Sequence, residues 1–407
     1  MKFAHLADCH IGSWRDPKLR DANMNAFIKA VDYSIEQNID FMLISGDLFH
    51  TALPSIDWLK QAVRKLKELK DNDIPVYIIA GSHDFSPSGR TMIEVLEKAG
   101  LFTNVAKGSV ENEKLKLNFI IDKKTGAKIT GLLGKKGGLE KEYYKSLDKE
   151  SLENEPGYKI FMFHSALTEF KSEELSEMYS QPLSFFPKQF NYYAGGHVHE
   201  VFFTEDPDYG WITYPGPLFP VNFKELEKLE RGGFFIVDVD KGKTNIEFHP
   251  LQIHNIHKII INAENKTPEE VEKDIYSEIK GKEFNNTIVT LRVKGILKSG
   301  KPSDIDFKDI FEKLYNKSAY FVMKNTSKLQ TREFENIKIS TETSDDIEES
   351  IIKEHLQQIK VENLDKEKEF SLVKELMLCL NKEKDEGERV MDFQQRVKDD
   401  ASKILDL

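Results

Sequence analysis

Val76-Tyr77-Ile78-Ile79-Ala80-Gly81-Ser82-His83-Asp84 runs from a block of apolar residues straight into glycine, hydroxyl, imidazole and carboxylate. A short apolar run of this kind reads as a buried strand that delivers polar groups at its C-terminal end. The pattern recurs along the first half of the chain. Phe41-Met42-Leu43-Ile44 leads to Gly46-Asp47-Leu48-Phe49-His50, and Ile160-Phe161-Met162-Phe163 leads to His164. Asp8-Cys9-His10 follows a first strand-like stretch over residues 1–7, and Gly195-Gly196-His197-Val198-His199 completes the set. Several such ends in one sheet would gather carboxylates and imidazoles into one crevice, the side-chain set that holds two divalent ions. His197 and His199, two apart on extended backbone, would point the same way.

Helix-like stretches alternate with these runs through residues 1–250. One is expected over residues 21–37, with Phe27, Ile28, Val31 and Ile35 on one side. Others are expected over residues 54–70 and 90–98. Residues 116–121, 128–133, 159–163, 211–214 and 233–238 read as a second sheet. In the helix over 54–70, Ile56, Leu59, Val63 and Leu66 repeat at coiled-coil-like spacing. They are candidates for a dimer seam, while Trp58, Ala62 and Leu69 form a second strip for the sheet.

Composition bounds the rest. The 407 residues suffice for two or three domains. No apolar run of 18 residues and no basic-apolar leader is present, so neither a membrane span nor a signal peptide is expected. Two cysteines, Cys9 and Cys379, make no disulfide framework, which fits a reducing cytoplasm. The net charge is −11. Residues 341–407 carry −8 of it, leaving −3 for the remainder. Affinity for a polyanion would therefore rest on local patches and on bound metals. Arg15, Lys18, Arg20 and Arg90 are candidates, as are Lys135, Lys136, Lys298 and Lys301.

The five motifs, in this order, resemble the calcineurin-like metallophosphoesterase superfamily, whose signature runs D-x-H, G-D-x-x, G-N-H-D/E, H, G-H-x-H. Within it the chain resembles the SbcD-type DNA double-strand-break repair nucleases. The resemblance implies an αββα sandwich, an α/β fold, over residues 1–250. It implies that Asp8, His10 and His199 bind one metal, that His164 and His197 bind the other, and that Asp47 bridges them. Ser82 stands where the family has an asparagine ligand and implies a weaker second site. Asp84 is expected outside the ligand set, orienting His83. His83 and His50 occupy the positions for phosphate contact and proton transfer. Mixed imidazole and carboxylate ligation suits Mn, Fe or Zn better than Mg, and of these Mn²⁺ is the expected ion. Two ions so held can clamp a phosphate and lower the pKa of water. His5 is expected to be structural.

Residues 251–339 read as a small α+β unit, by resemblance a domain that caps DNA. Thr267 is the expected cap of a helix over 268–280, and another helix is expected over 307–316. Residues 340–346 read as a linker. Residues 347–407 read as amphipathic helices, with Leu376, Phe393 and Val397 on an apolar face. By resemblance this segment docks a coiled-coil ABC-type ATPase of the SbcC class. The function implied is a homodimeric, Mn²⁺-dependent nuclease of the cytoplasm, associated with the nucleoid. It would act 3′ to 5′ on duplex ends and as an endonuclease on single strands. Two rivals are another two-metal phosphodiesterase or phosphatase, and a repair scaffold with a weakened second metal site.

Overall fold

The structure, a computed structural model, describes residues 1–86, 91–135, 138–331, 365–382 and 390–405, together with Ile352 and Leu356. Arg90, Lys136, the linker over 340–346 and most of the segment over 347–364 lie outside the described residues. The chain packs as two units: Met1–His257 with Asn286–Thr290, and Lys258–Asn285 with Leu291–Leu407.

The first unit holds two six-stranded sheets. At the centre of the first sheet are β1 (Lys2–Leu6), β2 (Phe41–Ser45) and β3 (Val76–Ile79), parallel and adjacent. Thr103–Asn104 extends it beyond β3, and Gly233–Asp240 then Lys243–Pro250 extend it antiparallel beyond β1. The second sheet is ordered Phe202–Asp206, Gly210–Tyr214, Tyr192–Gly196, Lys159–His164, Lys128–Gly131, Ile120–Ile121. Its four central strands are also parallel. Parallel sheets are buried on both faces, so their strands read as continuous apolar runs. The expectation for residues 233–238 is corrected here: they join the first sheet, beside β1. Two sheets that share one core present the same continuous apolar runs, so the sequence carries no mark of which sheet a strand joins.

The shared core lies between the sheets. Phe3, Phe41, Leu43, Tyr77, Phe235 and Val237 meet Ile129, Ile160, Met162, Tyr192 and Ala194. On the far side of the second sheet, Phe161, Phe163, Tyr193 and Tyr214 pack with Tyr144, Leu147, Leu152 and Phe186. On the far side of the first sheet lie helix α1 (Pro17–Glu36), started by an Asp16 cap, and helix α2 (Ile56–Asp71). Tyr33 of α1 meets Phe234 edge to face. In α2, Ala62, Lys65, Leu66 and Leu69 are buried. Lys65 is held by Asp32 at 2.6 Å and Glu68 at 2.5 Å. Leu66 therefore belongs to the chain's own core and not to a free seam, a second correction. Ile56 is 69 % exposed, and Leu59 and Val63 are half-buried.

A three-stranded sheet is ordered Asn255–Asn262, Thr287–Leu297, Ala319–Thr331; its residues from 258, from 291 and from 319 onward belong to the second unit, as do helices Pro268–Ile279 and Phe307–Asn316. Thr267 and Glu270 close a reciprocal cap at the first helix. Farther along, Lys366–Leu380 and Val390–Ile404 form two helices, and Cys379 Sγ lies 3.8 Å from the Val397 carbonyl. Leu376, Phe393 and Val397, expected on the outer apolar face, are only half-exposed. The most exposed apolar residues there are Leu378 and Leu380, at 65 % each, and Met391, at 81 %. Among the described residues no helix is long and apolar enough to cross a membrane.

Candidate metal centre

All five motifs meet at the C-terminal ends of the central parallel strands of the first unit, where open α/β sheets place their ligands. Asp8 and His10 follow β1, Asp47 follows β2 and Ser82 follows β3. His164 ends Lys159–His164, and His197 and His199 follow Tyr192–Gly196. Getting the side chains there requires unusual backbone. Asp8, His10, Asp47 and His197 all have positive φ, at 50°, 44°, 52° and 82°. Such conformations cost on the order of 1–3 kcal/mol each and persist where surrounding bonds fix them. Those bonds are present. The Asp8 carboxylate accepts from the His197 N–H at 3.0 and 3.1 Å, and Asp47 Oδ1 accepts from the His83 N–H at 2.7 Å. Two glycines permit the close approach. A Cβ on Gly196 would stand 2.0 Å from the Ser45 carbonyl, and one on Gly81 would stand 2.2 Å from Asp47 Oδ1.

The ligand atoms converge. Asp8, His10 and His199 can bring one donor atom each within 4.8 Å of one another, as can Asp8, Asp47 and His164. Asp47 Oδ2 lies 3.7 Å from His10 Nε2 and 3.2 Å from His164 Nε2, so it sits between the two groups. His197 stands beside His164, ring centres 5.2 Å apart. Ser82 Oγ is 3.5 Å from Asp47 Oδ2. His10 Nε2 and His199 Nε2 face each other at 3.2 Å. That is close to the spacing of two nitrogens each about 2.0–2.1 Å from one shared ion. His164 gives its Nδ1 side to the Ser45 carbonyl at 2.8 Å, and its buried Nε2 faces Asp47 Oδ2 at 3.2 Å. The donor set fits two divalent ions.

Electrostatics divide the four imidazoles into two pairs. Burial drives His10 down to about 3 and His197 down to about 4, so both are neutral at pH 7. Burial opposes charge on His164 and His199 as well, but neighbouring carboxylates outweigh it. Asp47 pushes His164 up to about 9, and Asp8 with Glu225 pushes His199 up to about 10. Burial likewise opposes charge on Asp47, yet His164 beside it holds the carboxyl well below its ordinary range.

His83 is half-buried, with Nδ1 2.9 Å from the His50 carbonyl. The His50 and His83 rings stack at 4.9 Å, and the His10 ring meets His83 edge-on at 4.8 Å. These three rings form a third cluster of donor atoms. Asp84 is fully buried and accepts from the backbone N–H groups of Leu48, Phe49 and Gly81 at 3.0–3.1 Å. It thus ties the Asp47 loop to the Ser82 loop; the contact that orients His83 comes from His50. Arg15 and Lys18 are exposed. Arg20 is half-buried and its Nε donates to the Trp14 carbonyl at 2.5 Å, which commits it to the loop. His5 is fully buried and bonded to Tyr192 and Ser45, each at 3.0 Å, between the sheets.

A cleft of about 360 Å³ opens over these groups. Its far wall, Glu174, Leu175, Met178, Lys224, Lys228 and Leu229, carries no signal in the motif reading. Lys224 and Lys228 both pair with Glu174 at 3.2 Å. Glu225 is the other residue that the motifs do not reveal: its Oε1 lies 3.0 Å from His199 Nδ1. The sequence signal available for it is Asn222-Phe223-Lys224-Glu225, a cap followed by an acid three residues on.

Residues 1–201 match the calcineurin-like phosphoesterase family. The first unit is thus built on a calcineurin-like metallophosphoesterase domain, a class that uses divalent metals. More particularly, the chain is similar to three archaeal proteins named DNA double-strand break repair protein Mre11. It is 30% identical to that of Archaeoglobus fulgidus over 57% of this chain and 53% of the relative. It is 26% identical to that of Methanococcus maripaludis over 78% and 79%, and 32% identical to that of Methanopyrus kandleri over 60% and 55%. The chain spans about half the length of the first and third of these relatives.

Proposed function

We propose that this chain is a DNA nuclease, a two-metal phosphodiesterase that acts with Mn²⁺ in double-strand-break repair. The observation that carries the reading is the meeting of Asp8, His10, Asp47, His164, His197 and His199 at one set of strand ends, with two imidazole Nε2 atoms 3.2 Å apart. Asp8, His10 and His199 would hold one ion. His164, His197 and Ser82 would hold the other, and Asp47 would lie between. Once bound, the ions supply charge for the phosphate and a more acidic water. The chain's own groups do the rest. His83, held through the His50 carbonyl, would donate a proton to a leaving 3′-oxygen. DNA as substrate is supported by the shared name of the three relatives.

On this reading the activities are 3′-to-5′ digestion of duplex ends and endonucleolytic cutting of single strands. The α2 face at Ile56, Leu59 and Val63 would contribute to a homodimer. Residues 251–339 would cap the DNA. The C-terminal helices would dock a coiled-coil ABC-type ATPase, through Leu378, Leu380 and Met391 rather than Leu376, Phe393 and Val397.

The test compares linear duplex DNA, circular single-stranded DNA and bis(p-nitrophenyl) phosphate, each with Mn²⁺ and with Mg²⁺. Cleavage of both DNAs with Mn²⁺, and much less with Mg²⁺, is expected. Turnover of the small diester with none of either DNA would contradict the nuclease reading and leave a small-molecule phosphodiesterase.

A further inference from the structure

The helix Phe223–Leu229 contributes one side chain to the metal centre although none of its residues belongs to a motif. Glu225 Oε1 is 3.0 Å from His199 Nδ1. The carboxylate is itself fixed: Oε2 accepts from the Val221 N–H at 2.9 Å, and Oε1 accepts from Asn222 Nδ2 at 2.5 Å. Asn222 in turn caps the helix by accepting from the Glu225 N–H at 2.9 Å. The loop that leads into the helix is tied down by Trp14, whose indole N–H donates to the Pro220 carbonyl at 2.9 Å. Glu225 is thus held by its own loop before it meets the imidazole.

The consequence falls on the other side of the ring. With Nδ1–H given to Glu225, the neutral, metal-binding form of His199 is fixed in the tautomer whose Nε2 carries the lone pair. That Nε2 lies 3.2 Å from His10 Nε2 and 3.7 Å from Asp8 Oδ1. A carboxylate that orients a ligand imidazole also makes it a stronger donor, and removing such a partner weakens metal affinity about 10–100-fold. We propose that Glu225 is a positioning residue, which sets the tautomer and the direction of His199 and thereby tightens the ion held by Asp8, His10 and His199. This rests on the reading of His199 as a metal ligand.

The bond pattern separates this role from simple helix capping. A capping glutamate at this position reaches back to the N–H of the capping residue. Glu225 passes that group by, taking the N–H of Val221 with one oxygen and the imidazole of His199 with the other.

The test is a double-mutant cycle read by calorimetric titration of Mn²⁺ into the full chain, with the melting temperature of the metal-free form followed in parallel. Glu225→Gln should weaken one Mn²⁺ site about 10–100-fold in a metal-free form that is still folded at the titration temperature. Glu225→Asp, too short to keep the contact yet still charged, should fall between wild type and Glu225→Gln. In a His199→Ala background, Glu225→Gln should have no further effect, because a partner acting through His199 has nothing left to act on. Unchanged Mn²⁺ affinity in Glu225→Gln would overturn the proposal. So would an equal further loss in the His199→Ala background. If His199→Ala alone leaves Mn²⁺ binding intact, the metal reading fails and the proposal falls with it. If metal-free Glu225→Gln is unfolded at the titration temperature, a folded Glu225→Asp still decides, by a weaker Mn²⁺ site or an unaltered one.

Discussion

At the scale of single residues, position 82 is where the site departs from its family's pattern. Ser82 Oγ stands 3.5 Å from Asp47 Oδ2, and a serine side chain is shorter than the family's asparagine. Ser82→Asn should tighten the weaker Mn²⁺ site without creating a new activity; equal affinity of both variants by calorimetry would show that serine already suffices. A second prediction concerns protons. Without metal, His164 and His199 are pushed up to about 9 and about 10, so both rings are charged at pH 7. A metal ligand must be neutral, so Mn²⁺ binding at pH 7 should displace one proton from each ring. Affinity should rise with pH until the rings lose those protons unaided. Calorimetry in two buffers of different ionisation enthalpy reads this directly, and binding heats independent of buffer would contradict it. The same shifts set the sign of a stability effect. Both rings are raised above the ordinary value of about 6.5, so their contribution in the metal-free chain is complete below that pH and is lost as pH rises through 9–10. The convergence of these ligands was legible because each apolar strand ends in punctuation that a buried strand does not need. Glu225 was not legible, because it stands 26 positions after His199 and reads locally as a residue of a helix's first turn. Arg20 read as a candidate contact for a polyanion, and its Nε bond to the Trp14 carbonyl appears only once the loop is folded.

Element by element, α2 shows what spacing does and does not decide. Ile56, Leu59, Val63 and Leu66 repeat at a period that suits a partner helix and a supporting sheet equally well. The structure divides them: Leu66 is fully buried and Ile56 is 69 % exposed. Leu66→Ala should therefore destabilise the fold, by about 2–5 kcal/mol, without acting on a dimer surface. Ile56→Asp should leave stability within about 0.5 kcal/mol and shift the chain toward monomer in analytical ultracentrifugation. A dimer undisturbed by Ile56→Asp would remove the α2 face from the interface. Strand identity was readable for the same reason that sheet membership was not. The run over 233–238 has the continuous apolar character of a core strand, and both sheets line one core. Its pairing with β1, Lys2 opposite Asp238, is a long-range choice. Helix caps were local and could be read in advance: Thr267 closes the helix Pro268–Ile279 through Glu270. The C-terminal helices show the limit again, since half-exposed Leu376 and exposed Leu378 have the same side chain and differ only in which way the helix faces.

For the whole molecule, fold and site arise from one arrangement. Two parallel-centred sheets stacked on a common core aim five strand ends at one place, and the residues there are of the types that can ligate metal. Asp47 joins the two halves of that site, since its Oδ2 is 3.7 Å from His10 and 3.2 Å from His164. The measurement that tests the central claim most directly is Mn²⁺-dependent nucleotide release from linear duplex DNA by the wild-type chain and by Asp47→Ala, with folding of the variant checked by circular dichroism. The wild type should release nucleotides with Mn²⁺ and stop when the metal is chelated, and Asp47→Ala should be folded and inactive. A folded Asp47→Ala that still digests the duplex at a rate comparable to wild type would contradict a site in which Asp47 is shared by two ions.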